Sequence, residues 1–203
     1  MTKIKICGLT RMTDIEAVNE LKPEYIGFVF AEKSKRFVFD EAALRFKERL
    51  NADIKAVGVF VDEPIASVIK RIDYKMIDMV QLHGNENEDY IKQLRLLTDK
   101  PIIKAFSVRN EQDVFNANHS SADFVLLDSG SGGTGTAFNW NFVDLINRPY
   151  FLAGGLTPDN AGKALNRLKP LALDVSSGVE TDGYKDKKKM AAFISAVRKD
   201  EII

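Results

Sequence analysis

Short apolar runs alternate with segments of helical period from one end of the chain to the other. IKIC precedes TDIEAVNEL, YIGFVF precedes DEAALRFKERL, KAVGVFV precedes PIASVIKRI, and MVQLH precedes NEDYIKQLRLL. The second half continues with IIKAF and NEQDVFNAN, FVLLD and NWNFVDLI, YFLAGG and NAGKALNRL, and LALDVSS and KDKKKMAAFISAVRK. The runs are too short for helices and rich in β-type residues, so they read as buried strands. The segments between them recur on one face: Ile15, Val18 and Leu21; Ile65, Val68, Ile69 and Ile72; Ile91 and Leu94; Met190, Phe193, Ile194 and Val197. Thr13 with Glu16 predicts a capping box. All six prolines fall at boundaries, Pro23, Pro101, Pro149 and Pro170 just before strands, Pro64 and Pro158 near helix starts.

Strict strand–helix alternation predicts parallel strands joined by right-handed crossovers and covered by helices. That leaves a closed (β/α)8 TIM barrel or an open doubly wound sheet, and periodicity does not separate them. Eight units in 203 residues without a long insertion favour the α/β barrel as a single domain spanning residues 1–203. Either architecture places its ligand at the carboxyl ends of the strands. The residues closing the runs are Cys7-Gly8, Phe30, Asp62, His83-Gly84, Phe106-Ser107, Asp128-Ser129, Gly154-Gly155 and Asp174 through Gly178.

The densest chemistry lies in FVLLDSGSGGTGTAFNW, residues 124–140. A buried strand ends there in Asp128, ahead of Gly130, Gly132, Gly133 and Gly135. Backbone N–H groups of such a loop can approach an anion closely, with the carboxyl beside it as a proton donor. An acid next to an anion cradle suggests chemistry on a sugar phosphate. The same glycines match G-x-G-x-x-G, but no helix opens at them, and the next strand ends in glycines rather than an acid, which argues against a dinucleotide. Small residues after the seventh and eighth strands, Gly154, Gly155, Ser177 and Gly178, lie where such barrels commonly hold phosphate.

Charge narrows the partner. Lys and Arg total 29, as do Asp and Glu, so neither nucleic acid nor a membrane surface is advertised, and a small molecule is expected. Absence of a long apolar segment and a single cysteine point to a cytoplasmic protein. A monomer or homodimer is the default. Cys7 closes the first strand on the ligand face, where a thiolate could remove a proton or attack a carbon. Arg36 reads equally as surface charge or as a clamp for a carboxylate. His83 is ordinarily a structural histidine, no metal spacing occurs, and the run of lysines at 185–189 reads as a solvated helix start. Lys104, near a strand end, supports a competing Schiff-base aldolase; a silent phosphate-binding barrel is a third reading.

Taken together, KICGLT (5–10), QLHG (81–84), LLDSGSGGTGTAFNW (126–140), AGGLTPDN (153–160) and DVSSGVE (174–180) resemble the phosphoribosylanthranilate isomerase family in order, spacing and strand-end position. The resemblance implies a (β/α)8 barrel. It also implies an Amadori rearrangement of N-(5′-phosphoribosyl)anthranilate to 1-(2-carboxyphenylamino)-1-deoxyribulose 5-phosphate in tryptophan biosynthesis, with no metal or cofactor. By the family's pattern Asp128 is the general acid and Cys7 the general base. Arg36 would hold the anthranilate carboxylate, and His83 and Asp174 would line the cleft. Phosphate would rest on Gly133, Thr134, Gly135, Gly154, Gly155, Ser177 and Gly178. For that chemistry near neutral pH, a raised pKa is expected for Asp128 and a lowered one for Cys7. Lys35 stands where the family often has proline, and Thr136-Ala137 where a lysine-containing segment is common.

Overall fold

The computed structural model describes residues 1–128 and 140–199, except for the side chains of Trp140 and Asn141. Eight parallel strands close into a barrel in chain order: β1 (Lys3–Cys7), β2 (Tyr25–Val29), β3 (Lys55–Phe60), β4 (Met79–Leu82), β5 (Ile102–Ser107), β6 (Phe124–Asp128), β7 (Tyr150–Leu152) and β8 (Ala172–Val175). The ring is completed by β1 pairing with β8, Lys3 opposite Ala172 and Lys5 opposite Asp174. That pairing removes the open-sheet alternative. Around the barrel run α1 (Met12–Leu21), α2 (Asp40–Arg49), α3 (Ile65–Asp73), α4 (Glu88–Arg95), α5 (Glu111–His119), α6 (Pro158–Arg167) and α7 (Lys187–Lys199).

The helices form because their apolar stripes meet the outward residues of the strands. Val68, Ile91, Leu94 and Phe193 are fully buried in this layer, each stabilising the fold by about 1.5–3 kcal/mol. Alternate strand residues point the other way and fill the barrel. Tyr25, Phe124 and Phe151 pack at its lower end, with ring centroids of 5.5 Å for Tyr25–Phe151 and 5.9 Å for Phe124–Phe151. Among the described residues no helix is long and apolar enough to cross a membrane.

Three local expectations change. NWNFVDLI forms a 3₁₀ turn over Trp140–Leu145 instead of an α-helix, because Asn139, Asn141 and Asn147 with Pro149 close behind give weak helix propensity; Val143 is still buried. The first helix does not use Thr13 and Glu16. It begins at Met12, and the Asp14 carboxylate accepts from the N–H groups of Thr10 and Arg11, both at 3.0 Å. Beyond β8, a short 3₁₀ turn (Ser177–Val179) leads into a two-stranded hairpin, β9 (Glu180–Thr181) with β10 (Tyr184–Lys185), absent from the periodic pattern.

Candidate active site

Period-two alternation decides which side chains reach the carboxyl end of the barrel. Cys7 and Lys5 face inward from β1, Gln81 from β4 with His83 just beyond it, Asp128 from β6, and Asp174 from β8 with Ser176 following. A cavity of about 440 Å³ opens there, lined by Cys7, Arg36, His83, Asp128, Asp174, Gly154, Gly155 and Ser177, among others. Its size suits a small ligand. A larger cavity of about 810 Å³ lies at the opposite end of the barrel, among Met1, Arg148 and Lys169. It contains none of the strand-end groups, and ligands of this fold bind at the carboxyl face.

Charge is concentrated on one side of the cleft. Lys5 is fully buried and its ammonium lies 2.8 Å from the Asp174 carboxylate. Burial opposes the Lys5 charge, but Asp174 and Cys7 outweigh it and hold the ammonium above its ordinary pKa. The expected lowering of Cys7 is not found. Burial pushes its thiol up, and the attraction of Lys5 and Lys185 offsets this only in part, while Asp174 adds to the rise. A buried thiol loses the hydration that would stabilise its anion.

Arg36 reaches the cavity from the loop after β2. Its stem crosses the end of β1 at Gly8, where a Cβ would come within 2.4 Å of Arg36 Cδ. The guanidinium donates from Nε and Nη2 to the two carboxylate oxygens of Glu180, at 2.7 and 2.8 Å. Lys185 also donates to Glu180 and, at 3.2 Å, to the Ser176 carbonyl. Lys185 is only 6% exposed, so it departs from the expected solvated lysine run: the hairpin folds it back over the barrel.

On the far wall, His83 Nε2 stands 3.6 Å from Asp128 Oδ2, and Gln81 Nε2 lies 2.8 Å from His83 Nδ1. The loops after β7 and β8 meet at Gly178, where a Cβ would lie 1.9 Å from the Leu156 carbonyl oxygen. Gly178 therefore permits the close approach of the two loops without lining the cavity itself. Gly154 and Gly155 have φ of 92° and 63°, a backbone that favours glycine. Among the described residues no three His, Cys, Asp or Glu side chains gather as a metal site would require.

Residues 4–196 match the family model described as N-(5′phosphoribosyl)anthranilate (PRA) isomerase. The N-(5′-phosphoribosyl)anthranilate isomerase of Clostridium acetobutylicum is 47% identical over 208 residues, covering 98% of this chain and 99% of that protein. The solved phosphoribosyl anthranilate isomerase of Thermotoga maritima superposes with a TM-score of 0.88 at 34% identity, covering 98% of this chain and 100% of that one. Another solved isomerase, bound to reduced 1-(o-carboxyphenylamino)-1-deoxyribulose 5-phosphate, has a TM-score of 0.85 at 33% identity, with 98% and 100% covered.

This chain belongs to the phosphoribosylanthranilate isomerase family.

Of the residues that the family's pattern singles out, Cys7, Arg36, His83, Asp128, Asp174, Gly154, Gly155 and Ser177 share one cavity. Gly133, Thr134 and Gly135, with Thr136 and Ala137, lie outside the described residues. Lys104, the basis of the aldolase alternative, lines a neighbouring cavity of about 470 Å³ that it shares with Glu86, His83 and Asp128. It donates to the Glu86 carboxylate at 2.9 Å and the Gly84 carbonyl at 2.7 Å, an ion pair that occupies its ammonium, and it does not line the cavity around Cys7. Sequence reasoning missed Lys5, Gln81, Glu180 and the burial of Lys185. Lys5 and Gln81 each sit two residues before a chosen residue, Cys7 and His83, so the strand period already placed them on the same face.

Proposed function

We propose that Cys7 is the general base and Asp128 the general acid of this isomerase. The chain converts N-(5′-phosphoribosyl)anthranilate to 1-(2-carboxyphenylamino)-1-deoxyribulose 5-phosphate, an Amadori rearrangement in tryptophan biosynthesis. One observation carries the assignment of roles: Cys7 at the end of β1 and Asp128 at the end of β6, on different sides of the ring of strands, line the same cavity. Asp128 protonates the furanose ring oxygen as the bond from that oxygen to the anomeric carbon breaks, giving an open-chain Schiff base. Cys7 then removes the proton from C2′, the electron pair moves toward the iminium nitrogen, and the enolamine tautomerises to the ketone.

The remaining groups orient the substrate. Arg36 holds the anthranilate carboxylate with the part of its guanidinium that Glu180 does not occupy. Phosphate rests on the small residues after β7 and β8, Gly154, Gly155 and Ser177, together with Gly133, Thr134 and Gly135. His83 and Asp174 bound the sugar from two sides. The enzyme works in the cytoplasm, where its single thiol stays reduced.

The test follows the decay of substrate fluorescence on adding protein. Cys7→Ala and Asp128→Asn should each lose roughly a hundred- to ten-thousand-fold in kcat, the usual contribution of an acid or base, with modest change in KM. Near-normal turnover in either variant would remove that residue from its role.

A further inference from the structure

The mechanism above leaves one buried charge unused. Lys5 sits two residues before Cys7 on β1, pointing into the barrel beneath it, and is 0% exposed. Its register partner is Asp174, whose Oδ2 it meets at 2.8 Å. An ammonium has three protons to donate; one goes to Asp174, and the two-residue period of the strand sets the ammonium on the same inward face as the Cys7 thiol, where its attraction works to lower the thiol's pKa. Across from Cys7, Gly27 of β2 leaves the space the thiol occupies, since a Cβ there would lie 2.7 Å from Cys7 Sγ. The sulfur therefore sits against β2, one strand repeat above a buried cation on the same inward face.

We propose that Lys5 is the positioning residue of the base: a buried cation, anchored by Asp174 on the inward face beneath Cys7, that holds the Cys7 thiolate by its charge while the sugar is rearranged. The inference rests on the assignment of Cys7 as base. Other charged or titratable groups face the cavity around the thiol. Lys185 comes from β10, Arg36 from the loop after β2, Asp174 from β8, and His83, just past β4, and Asp128, at the end of β6, stand across the cavity. Lys185 and Arg36 are both engaged by Glu180. Lys5 has Asp174 as its carboxylate partner, and its place on the same strand fixes it under Cys7. Exclusion of water by bound substrate strengthens such an interaction, because the effective dielectric falls. The family of roles is then complete on the base side: Cys7 moves the proton, Lys5 holds the sulfur anion, and Asp174 keeps Lys5 in place.

Cys7 is the only cysteine in the chain, so one iodoacetamide adduct on the intact protein reports its ionisation alone. Alkylation rate against pH should give a midpoint for the wild type. In Lys5→Met that midpoint should rise by at least about one unit, tenfold less thiolate at a given pH below it. In Asp174→Asn it should fall, because the cation then acts on the sulfur without its counter-charge. The alkaline-rising limb of kcat/KM should move with the Lys5→Met midpoint. Opposite signs in the two variants exclude general loosening of the barrel. Should Lys5→Met fail to fold, Lys5→Met/Asp174→Asn removes both charges, and its midpoint should again rise. An unmoved midpoint in a folded variant lacking Lys5, or a shift of the same sign in Asp174→Asn, overturns the proposal. Normal turnover by Cys7→Ala would instead overturn the base assignment, and the two failures are read in separate assays.

Discussion

Glu180→Gln tests how Arg36 is prepared for a carboxylate. The native carboxylate accepts two parallel bonds from Arg36 at 2.7 and 2.8 Å and a third from Lys185. A glutamine keeps one accepting oxygen and turns an NH2 toward a donor, so the fork is broken. A hydrogen bond to a charged group is worth about 1.5–3 kcal/mol. Arg36 is 31% exposed on its side chain, which screens the interaction and puts its share near the lower end, about 1.5 kcal/mol. If Arg36 meets the anthranilate carboxylate equally in ground and transition states, that loss appears as roughly a tenfold rise in KM with kcat nearly unchanged. Steady-state fluorescence kinetics measure both. A KM within twofold of wild type, or a loss confined to kcat, would refute the role given to the pair. The same carboxyl sets a pH window. Burial would raise it, but the bonds from Arg36 and Lys185 outweigh burial and hold it below its ordinary value. Its stabilising contribution is therefore present above the ordinary carboxylate value of about 4.3 and lost as pH falls through the depressed one. The stability gap between wild type and Glu180→Gln in denaturant titrations should narrow over that acid range and stay level at neutral pH.

Tyr90 and Tyr150 are pushed up to about 12, chiefly by burial and then by nearby carboxylates. Ultraviolet titration should show them ionising after the other tyrosines, and stability should decline with rising pH from about 10, where they ionise only in the unfolded chain. Lys104→Met leaves Glu86 buried without its cation and should cost about 3–5 kcal/mol in denaturant unfolding, with turnover per folded molecule unchanged. Borohydride added with substrate should leave the protein mass unaltered, whereas a lysine adduct would revive the aldolase chemistry. Phe151→Ala, in the barrel interior, should cost about 3–5 kcal/mol, and a loss below 1 kcal/mol would mean the aromatic layer is not as packed as described.

The barrel was legible because its strands obey a simple rule. Each run from IKIC to LALDVSS became a strand, and the helical stripes at Ile15, Val68, Leu94 and Phe193 lie against it. Strand-end position likewise brought Cys7, His83, Asp128 and Asp174 to one cleft. What escaped was governed by contacts rather than period. Glu180 and Lys185 sit on two-residue strands with no repeating pattern, and only the turn back over the barrel makes Lys185 a buried partner of Glu180. Gly178 is a phosphate candidate in the sequence because it is small; the structure adds that its missing Cβ lets two loops touch. The ionisation of Cys7 was inferred from what the chemistry requires, while burial of its thiol works in the opposite direction.

The division of labour between acid and base is tested most directly by trapping the open-chain Schiff base. Each variant is mixed with phosphoribosylanthranilate and quenched with borohydride at successive times, and the reduced, ring-opened anthranilate adduct is quantified against a buffer control. Cys7→Ala should open the ring and accumulate the trappable imine, since Asp128 remains to protonate the ring oxygen and no base removes the C2′ proton. Asp128→Asn should trap no more than buffer. Equal trapping in both variants, or trapping only in Asp128→Asn, would contradict the assignment.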